Sequence, residues 1–150
     1  REGLIELLGE EVYQEGMLNK PLLASYLFAS SENAAKVNGI IHPRVKADFL
    51  QWVDEHRHVG VVGLESAILY ESGFDDVVDA VVMVYAPKSL RLQRAMKRDQ
   101  ASEAQVRARM AAQMDDEEKR RRADYVVMND GSISLEEQLD VLVEHLKKGK

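Results

Sequence analysis

The sequence predicts an α/β fold in which helices flank a parallel sheet. Three short and nearly continuous apolar runs indicate buried strands, and they lie at residues 59–64, 80–86 and 125–128. Helical patterns separate the second run from the third and also follow the third. Buried strands that alternate with helices are typical of parallel sheets with right-handed crossovers. Three strands are few for such a sheet, so we expect an edge or the centre of the sheet to be missing from this chain.

The helical region comes first and covers residues 1–57. Asn19 is the predicted N-cap of its second helix, with Pro21 in the first turn. The Ser-Ser pair at Ser30 starts a third helix, and Pro43 opens a fourth. The apolar stripes that predict these helices are Leu4, Leu7 and Leu8; Leu22, Leu23, Tyr26 and Leu27; Ala34, Ala35, Val37 and Ile41; and Val45, Phe49, Trp52 and Val53.

Three helical patterns lie in the second half of the chain. They occupy residues 88–99, 102–122 and 134–148. Ser102 with Gln105, and Ser134 with Glu137, have the spacing of capping boxes and mark two of the helix starts.

The composition is that of one compact domain. The 150 residues are 45% apolar and 31% charged and contain no cysteine, and no apolar run approaches the roughly 20 residues that span a bilayer. A disulfide scaffold and a cysteine-ligated metal site are therefore excluded, and a cytoplasmic location is expected. The formal charge of −6 argues against a general nucleic-acid binder. We expect neither nucleic acid nor a membrane as partner, and a monomer or a small homo-oligomer.

Half of the cations lie within residues 91–122, which carry 10 basic and 6 acidic residues. Arg91, Arg94 and Arg98 share one helical face directly after a predicted strand, and Arg109 follows on the next helix. Guanidinium groups match phosphate oxygens and keep their charge, so this pattern predicts a cover over a nucleotide's phosphates. A solvated helix with ion pairs along its surface is the alternative, and it is our interpretation of residues 115–122.

Ligands of open parallel sheets bind at the carboxyl ends of the strands. Residues 65–71, 86–88 and 129–131 occupy that position in the predicted sheet. The four histidines do not have the spacing of a metal site, and no metal-binding residue is predicted. His42 precedes Pro43 and is therefore expected in a non-helical conformation, as a cap or as the wall of a pocket.

Five motifs in order and spacing resemble those of dephospho-coenzyme A kinases, and they extend over nearly the whole chain. They are Ile41-His42-Pro43, Ala67-Ile68-Leu69-Tyr70-Glu71, Arg91-x-x-Arg94-x-x-x-Arg98-Asp99, Arg109-x-x-x-Gln113, and Ala123-Asp124-Tyr125 through Asn129-Asp130-Gly131. The resemblance implies a P-loop, nucleoside-monophosphate-kinase-like fold. Residues 1–57 would form a helical substrate region, 58–98 and 123–150 the nucleotide core, and 99–122 a lid.

The resemblance also implies a role for individual residues. The family transfers the γ-phosphoryl group of ATP, with Mg²⁺, to the 3′-hydroxyl of dephospho-coenzyme A. Arg98 and Arg109 would be catalytic. The nucleotide would be bound by Arg94, Gln113, Asn129 and Gly131, and dephospho-coenzyme A by His42, Pro43, Glu65, Leu69 and Glu71.

The chain departs from the family pattern at three places. Ala67 stands where proline is usual, and Glu65 stands where aspartate is more usual. No G-x-x-x-x-G-K-[ST] motif occurs in the 150 residues. We expect the first strand, the phosphate-binding loop and the Mg²⁺ ligands before Arg1, and this polypeptide alone to be inactive. A non-catalytic nucleotide-binding or coenzyme A-binding module, or another small-molecule kinase of the same fold, remains an alternative.

Overall fold

The computed structural model describes residues 1–148, with the backbone alone at Lys148. The chain divides into two compact units, one from Arg1 to Leu64 and one from Glu65 onward. The helices of the first unit are α1 (Glu2–Leu8), α2 (Lys20–Ala29) and α3 (Ser31–Glu55). The second unit contains β3 (Val82–Tyr85), α4 (Lys88–Asp99), α5 (Glu103–Ala111), α6 (Asp116–Arg122), β4 (Tyr125–Met128) and α7 (Leu135–Lys148). None of the helices within residues 1–148 is long and apolar enough to cross a bilayer.

The core of the first unit forms where the predicted apolar stripes meet. Leu4, Val12 and Val37 are buried at its centre, and partly buried leucines and isoleucines from the three helices pack around them. Asn19 caps α2 by accepting a hydrogen bond from the Leu22 N–H, as predicted.

A small hairpin interrupts the region that was predicted to be helical throughout. Strands β1 (Tyr13–Gln14) and β2 (Met17–Leu18) pair antiparallel. The turn between them has φ of 51° at Glu15 and 80° at Gly16. Positive φ at both central residues is the geometry of a type I′ turn, which matches the twist of a hairpin. Strands of two residues are too short to show an alternating pattern, so the sequence does not predict them.

Helix α3 is continuous, and the prediction that Pro43 opens a fourth helix is wrong. The helix runs through Pro43, which lies on its exposed side. Proline inside a helix removes one hydrogen bond and crowds the carbonyl four residues earlier. That residue is Gly39, which leaves the backbone more freedom than any other residue would. His42 is therefore helical and half-buried, and the non-helical conformation expected for it is also wrong.

Strands β3 and β4 are parallel and in register from Val82 opposite Tyr125 to Tyr85 opposite Met128. They lie within the runs predicted at 80–86 and 125–128 and confirm a parallel α/β arrangement. Burial on both faces is wrong for both strands, because Val84 in β3 is 61% exposed and Val126 in β4 is 36% exposed.

The third predicted strand, at residues 59–64, is also wrong. The segment has no regular structure, and Val61 is exposed. An apolar run becomes a strand only where a neighbouring strand takes up its backbone hydrogen bonds. No such neighbour pairs with it among residues 1–148.

The helix predicted over 102–122 is divided in two. The capping box of Ser102 and Gln105 starts α5 as predicted, and α5 ends at Ala111. Asp115 then caps α6 by accepting a hydrogen bond from the Glu117 N–H. The N–H of Met114, just before this cap, donates to the Glu71 carboxylate instead of continuing a helix.

Candidate active site

The carboxyl edge of the parallel sheet brings together two predicted nucleotide-binding residues. The N–H of Asn129, directly after β4, donates to the Tyr85 carbonyl at 2.7 Å. Its own carbonyl accepts a hydrogen bond from Arg94 Nη1 at 2.6 Å. Arg94 and Asn129 are 35 residues apart in the chain, so this contact depends on the parallel pairing of β3 and β4.

The segment after Asn129 forms a tight turn. Asp130 Oδ1 accepts hydrogen bonds from the Ser132 N–H at 2.9 Å and from its Oγ at 2.5 Å. These bonds, with a smaller contribution from the nearby Arg94, lower the pKa of Asp130. Gly131 has φ of 88°, a left-handed conformation that favours glycine.

Arg98 and Arg109, the two predicted catalytic residues, meet at one carboxylate. Arg98 binds both oxygens of Asp99, with Nε 2.7 Å from Oδ1 and Nη2 3.2 Å from Oδ2. Arg109 Nη1 lies 2.8 Å from the same Oδ2. Hydrogen bonds from Arg98, and then from Arg109, lower the pKa of Asp99 to about 2. We call Arg98 and Arg109 the arginine pair; their side chains are 78% and 55% exposed.

No hydrogen bond within residues 1–148 connects Gln113 to the arginine pair. It is exposed beyond the end of α5, where its N–H donates to the Met110 carbonyl at 3.4 Å. Arg107, the other cation of α5, pairs with Glu103 one turn earlier on the same helix. No bond among the described residues links the arginine pair to Asn129 either.

Three residues of the second unit were predicted to bind the molecule that accepts the phosphoryl group, and they lie in or next to a series of turns. They are Glu65, Leu69 and Glu71. Glu65 is exposed, and the next residue, Ser66, accepts a hydrogen bond from the Ile68 N–H. The carbonyl of Leu69 accepts the N–H of Phe74 at 3.0 Å, which closes the loop. We call residues 67–75 the acceptor turn, because they include Leu69 and Glu71, which were predicted to bind the phosphoryl acceptor.

Glu71 lies in the acceptor turn and is held by groups from beyond α5. Its Oε1 accepts the Met114 N–H at 2.7 Å and lies 2.9 Å from Lys119 Nζ. Partial burial raises the pKa of Glu71, but the bonds from Lys119 and Met114 outweigh burial, so the pKa is lowered. Lys119 also donates to the Ala67 carbonyl at 2.8 Å.

Arg122 makes a second contact with the acceptor turn. Its Nη2 lies 3.1 Å from Asp75 Oδ2, and its guanidinium carbon lies 4.3 Å from the centre of the Tyr70 ring. The Tyr70 hydroxyl is buried without a hydrogen-bond partner in the described part of the chain, and burial raises its pKa.

The interpretation of residues 115–122 as a solvated helix is therefore wrong for half of its cations. Arg120 and Arg121 do pair along the helix, with Glu117 and Glu118 three residues earlier. Lys119 and Arg122 pair instead with residues 47 to 52 positions away in the chain. No local pattern separates the four cations, except that Lys119 and Arg122 share a face three residues apart.

Arg91 has a structural role, unlike the phosphate-facing role predicted for the series. Its Nε donates to the Ala86 carbonyl at 3.0 Å, and its Nη1 pairs with Asp116 at 2.6 Å. Both side chains of this ion pair are largely buried, so Arg91 attaches the start of α6 to the end of β3.

His42 and Pro43 belong to the first unit. Both lie in the middle of α3, where His42 is half-buried and Pro43 is exposed. The roles predicted for them in substrate binding stay predictions.

The chain is similar to known proteins over most of its length. The family model described as dephospho-CoA kinase matches residues 2–135. A dephospho-CoA kinase of Bacteroides fragilis is 54% identical over 146 residues, which are 97% of this chain and 71% of that protein. One of Porphyromonas gingivalis is 41% identical over 130 residues, which are 86% of this chain and 64% of that protein.

Solved structures show the same similarity. A crystal structure of a Thermus thermophilus protein matches with a TM-score of 0.77 and 31% identity, over 97% of this chain and 76% of the other. A dephospho-CoA kinase from Campylobacter jejuni matches with a TM-score of 0.63 and 25% identity, over 99% and 77%. The predicted fold class, an α/β kinase fold of the P-loop type, is confirmed.

Proposed function

The chain belongs to the dephospho-CoA kinase family, and we propose that the protein transfers the γ-phosphoryl group of ATP to the ribose 3′-hydroxyl of dephospho-CoA. Membership of the family makes the protein an ATP-using kinase that acts in the last step of coenzyme A biosynthesis. The position that is phosphorylated and the residues that act on it are our proposal.

The convergence of Arg98 and Arg109 on one carboxylate supports this function best. Both guanidinium groups donate to Asp99 Oδ2, although they come from helices α4 and α5. Two cations repel each other unless an anion lies between them, so their meeting point favours negative charge. Both guanidinium groups are more than half exposed, so a phosphate oxygen can reach them and take the place of Asp99.

Phosphoryl transfer requires alignment and neutralisation of charge more than covalent participation of the protein. In the proposed reaction the 3′-oxygen forms a bond to the γ-phosphorus as the bond to the β,γ-bridging oxygen breaks. ADP leaves with the electron pair, and the hydroxyl proton passes to solvent. The arginine pair would stabilise the charge that develops on the transferred group as α5, within the predicted lid at residues 99–122, closes over it.

We assign the nucleotide to the carboxyl edge of the sheet. Arg94 and Asn129 meet there, and the turn at Gly131 follows directly. Gln113 would approach the nucleotide only when the lid closes. Dephospho-CoA would lie against Glu65, Leu69 and Glu71. Residues 58–98 and 123–150 would form the nucleotide core.

The resemblance to the family implies Mg²⁺, but the described residues do not fit a site for it. No group of three or more His, Asp or Glu side chains within residues 1–148 could hold a metal ion. We therefore derive no step through a metal, and the charge of the phosphates would be met within residues 1–148 by the guanidinium groups of Arg94, Arg98 and Arg109. A cytoplasmic location and a monomer or small homo-oligomer stay predictions.

The function is tested with the protein expressed from its complete gene. ADP release is measured with ATP and one acceptor at a time: dephospho-CoA, a nucleoside monophosphate or shikimate. We expect turnover with dephospho-CoA and a product that carries a new phosphate on the ribose 3′-oxygen by ³¹P NMR. Turnover with another acceptor alone would assign the protein to a different substrate, and no ADP release with any of them would favour a non-catalytic binding module.

A further inference from the structure

Helix α6 is attached to the acceptor turn through two side chains on one of its faces. Lys119 donates to the Ala67 carbonyl at 2.8 Å and pairs with Glu71 at 2.9 Å, so it bridges the start and the middle of the turn. Arg122, one helical turn later, pairs with Asp75 at its end. We call Lys119 and Arg122 the α6 cations.

The Lys119 contact is shielded from solvent. Its side chain is 12% exposed and that of Glu71 is 23% exposed. Lysine and glutamate are rarely buried to this extent unless they are paired. Shielding strengthens the attraction between the two charges and makes the loss of one partner costly. The Met114 N–H donates to the same oxygen of Glu71, so the carboxylate has one defined position.

Side chains at the start of α6 attach it to α4, which carries Arg91, and to β3, which carries Tyr85. Asp116 pairs with Arg91 at 2.6 Å, and Glu117 accepts a hydrogen bond from the Tyr85 hydroxyl at 2.5 Å. Helix α5 has a different kind of attachment, because its cations Arg107 and Arg109 are exposed and pair with Glu103 and Asp99. The predicted lid at residues 99–122 therefore contains α5, which has exposed ion pairs, and α6, which is tied to α4, β3 and the acceptor turn.

We propose that Lys119 is a positioning residue for dephospho-CoA, and that α6 belongs to the acceptor site instead of the moving part of the lid. Lys119 does not touch the reacting atoms. It fixes Ala67 and Glu71 relative to each other and thereby sets the shape of the surface that receives the acceptor. The proposal rests on the function proposed above, since it names the residue that orders the acceptor turn of the same site.

The test is a comparison of Lys119→Met with Arg121→Met in the full-length protein. Both changes remove one positive charge from α6, but Arg121 is exposed, and its ion pair in the described part of the chain is with Glu118 on its own helix. We expect Lys119→Met to raise the KM for dephospho-CoA about tenfold, with the KM for ATP changed less than about twofold. Arg121→Met should leave both constants within about twofold of the wild type.

The conservative variant separates positioning from general damage. Lys119→Arg keeps the charge and a donor for the Ala67 carbonyl, and we expect it to recover most of the affinity for dephospho-CoA. If Lys119→Met does not fold, Lys119→Gln carries the same comparison, because it keeps a donor and loses only the charge. An equal rise of both KM values, a fall of kcat alone, or a dephospho-CoA KM equal to that of Arg121→Met would overturn the proposal. Absence of turnover in the wild type would instead overturn the proposed function.

Discussion

The arginine pair and the α6 cations are two groups of positive charge within 25 residues of the chain, yet they differ in exposure and in the partners that they bind. Arg98 and Arg109 are more than half exposed and share a carboxylate from the same stretch of chain. Lys119 is largely buried, and both α6 cations pair with the acceptor turn about 50 residues earlier. Cations of equal charge in one stretch of the chain therefore differ in how accessible they are to a ligand.

This difference indicates which cations can act on a ligand. A cation in an exposed ion pair can exchange its partner at little cost. Removal of one member of a buried ion pair costs several kcal/mol of unfolding free energy. The arginine pair is suited to leave Asp99 for a phosphate. The α6 cations are suited to hold the acceptor turn and not to leave it.

The largest effect is expected at the arginine pair. Arg98→Ala or Arg109→Ala should lower kcat by about 10²–10³-fold, because each removes a donor to the charge that develops in the transition state. The melting temperature should change little, since both side chains are exposed. Steady-state kinetics with ATP and dephospho-CoA measures the effect, with Arg107→Ala as the matched control on α5. Wild-type kcat in both variants would show that the pair is an ordinary surface ion pair.

The next effect concerns stability and is expected at the α6 cations. Lys119→Met leaves the partly buried Glu71 carboxylate without its counterion, which should cost about 2 kcal/mol of unfolding free energy. Arg121→Met should cost less than about 0.5 kcal/mol. Urea titrations of the two variants measure both values. Equal losses would show that the contrast between the exposed and the buried cations of α6 has no energetic consequence.

The smallest effect is the pH dependence at Asp99. Its pKa in the folded protein is about 2, below the usual value of 3.8, so its contribution to stability is present above pH 3.8 and is lost as the pH falls through about 2. The difference in melting temperature between the wild type and Asp99→Asn should be constant near neutral pH and shrink between pH 4 and 2. In an Arg98→Ala background the same pH-dependent difference should be smaller, since Arg98 is the larger cause of the shift. A difference that does not vary with pH would contradict the ion pairs.

Much of the fold could be predicted from local patterns. The N-cap at Asn19, the capping box at Ser102 and the helix over 88–99 lie where the sequence places them, because caps and helical periodicity involve neighbours in the chain. The hairpin around Glu15 and the helix through Pro43 were missed. Glu15 can adopt a positive φ and Pro43 can lie inside a helix, but neither residue type favours that conformation.

The candidate site was predicted in part, and the resemblance to a family contributed the roles of its residues. The spacing of Arg94, Arg98 and Arg109 marked them as candidate phosphate ligands, and the structure joins Arg98 to Arg109 and Arg94 to Asn129. The pairing of Lys119 with Glu71 could not be predicted, since no local signal distinguishes Lys119 from Arg120 or Arg121.

The sequence by itself determined where α2, α4 and α5 begin, that the sheet is parallel, and that the cations concentrate between residues 91 and 122. Those properties arise from periodicity, capping and composition, which act over a few residues. Only the tertiary structure decided which of those cations stay in solvent and which become buried against the acceptor turn. Burial depends on what packs opposite a side chain, and for Lys119 the opposing group is 48 residues away in the chain.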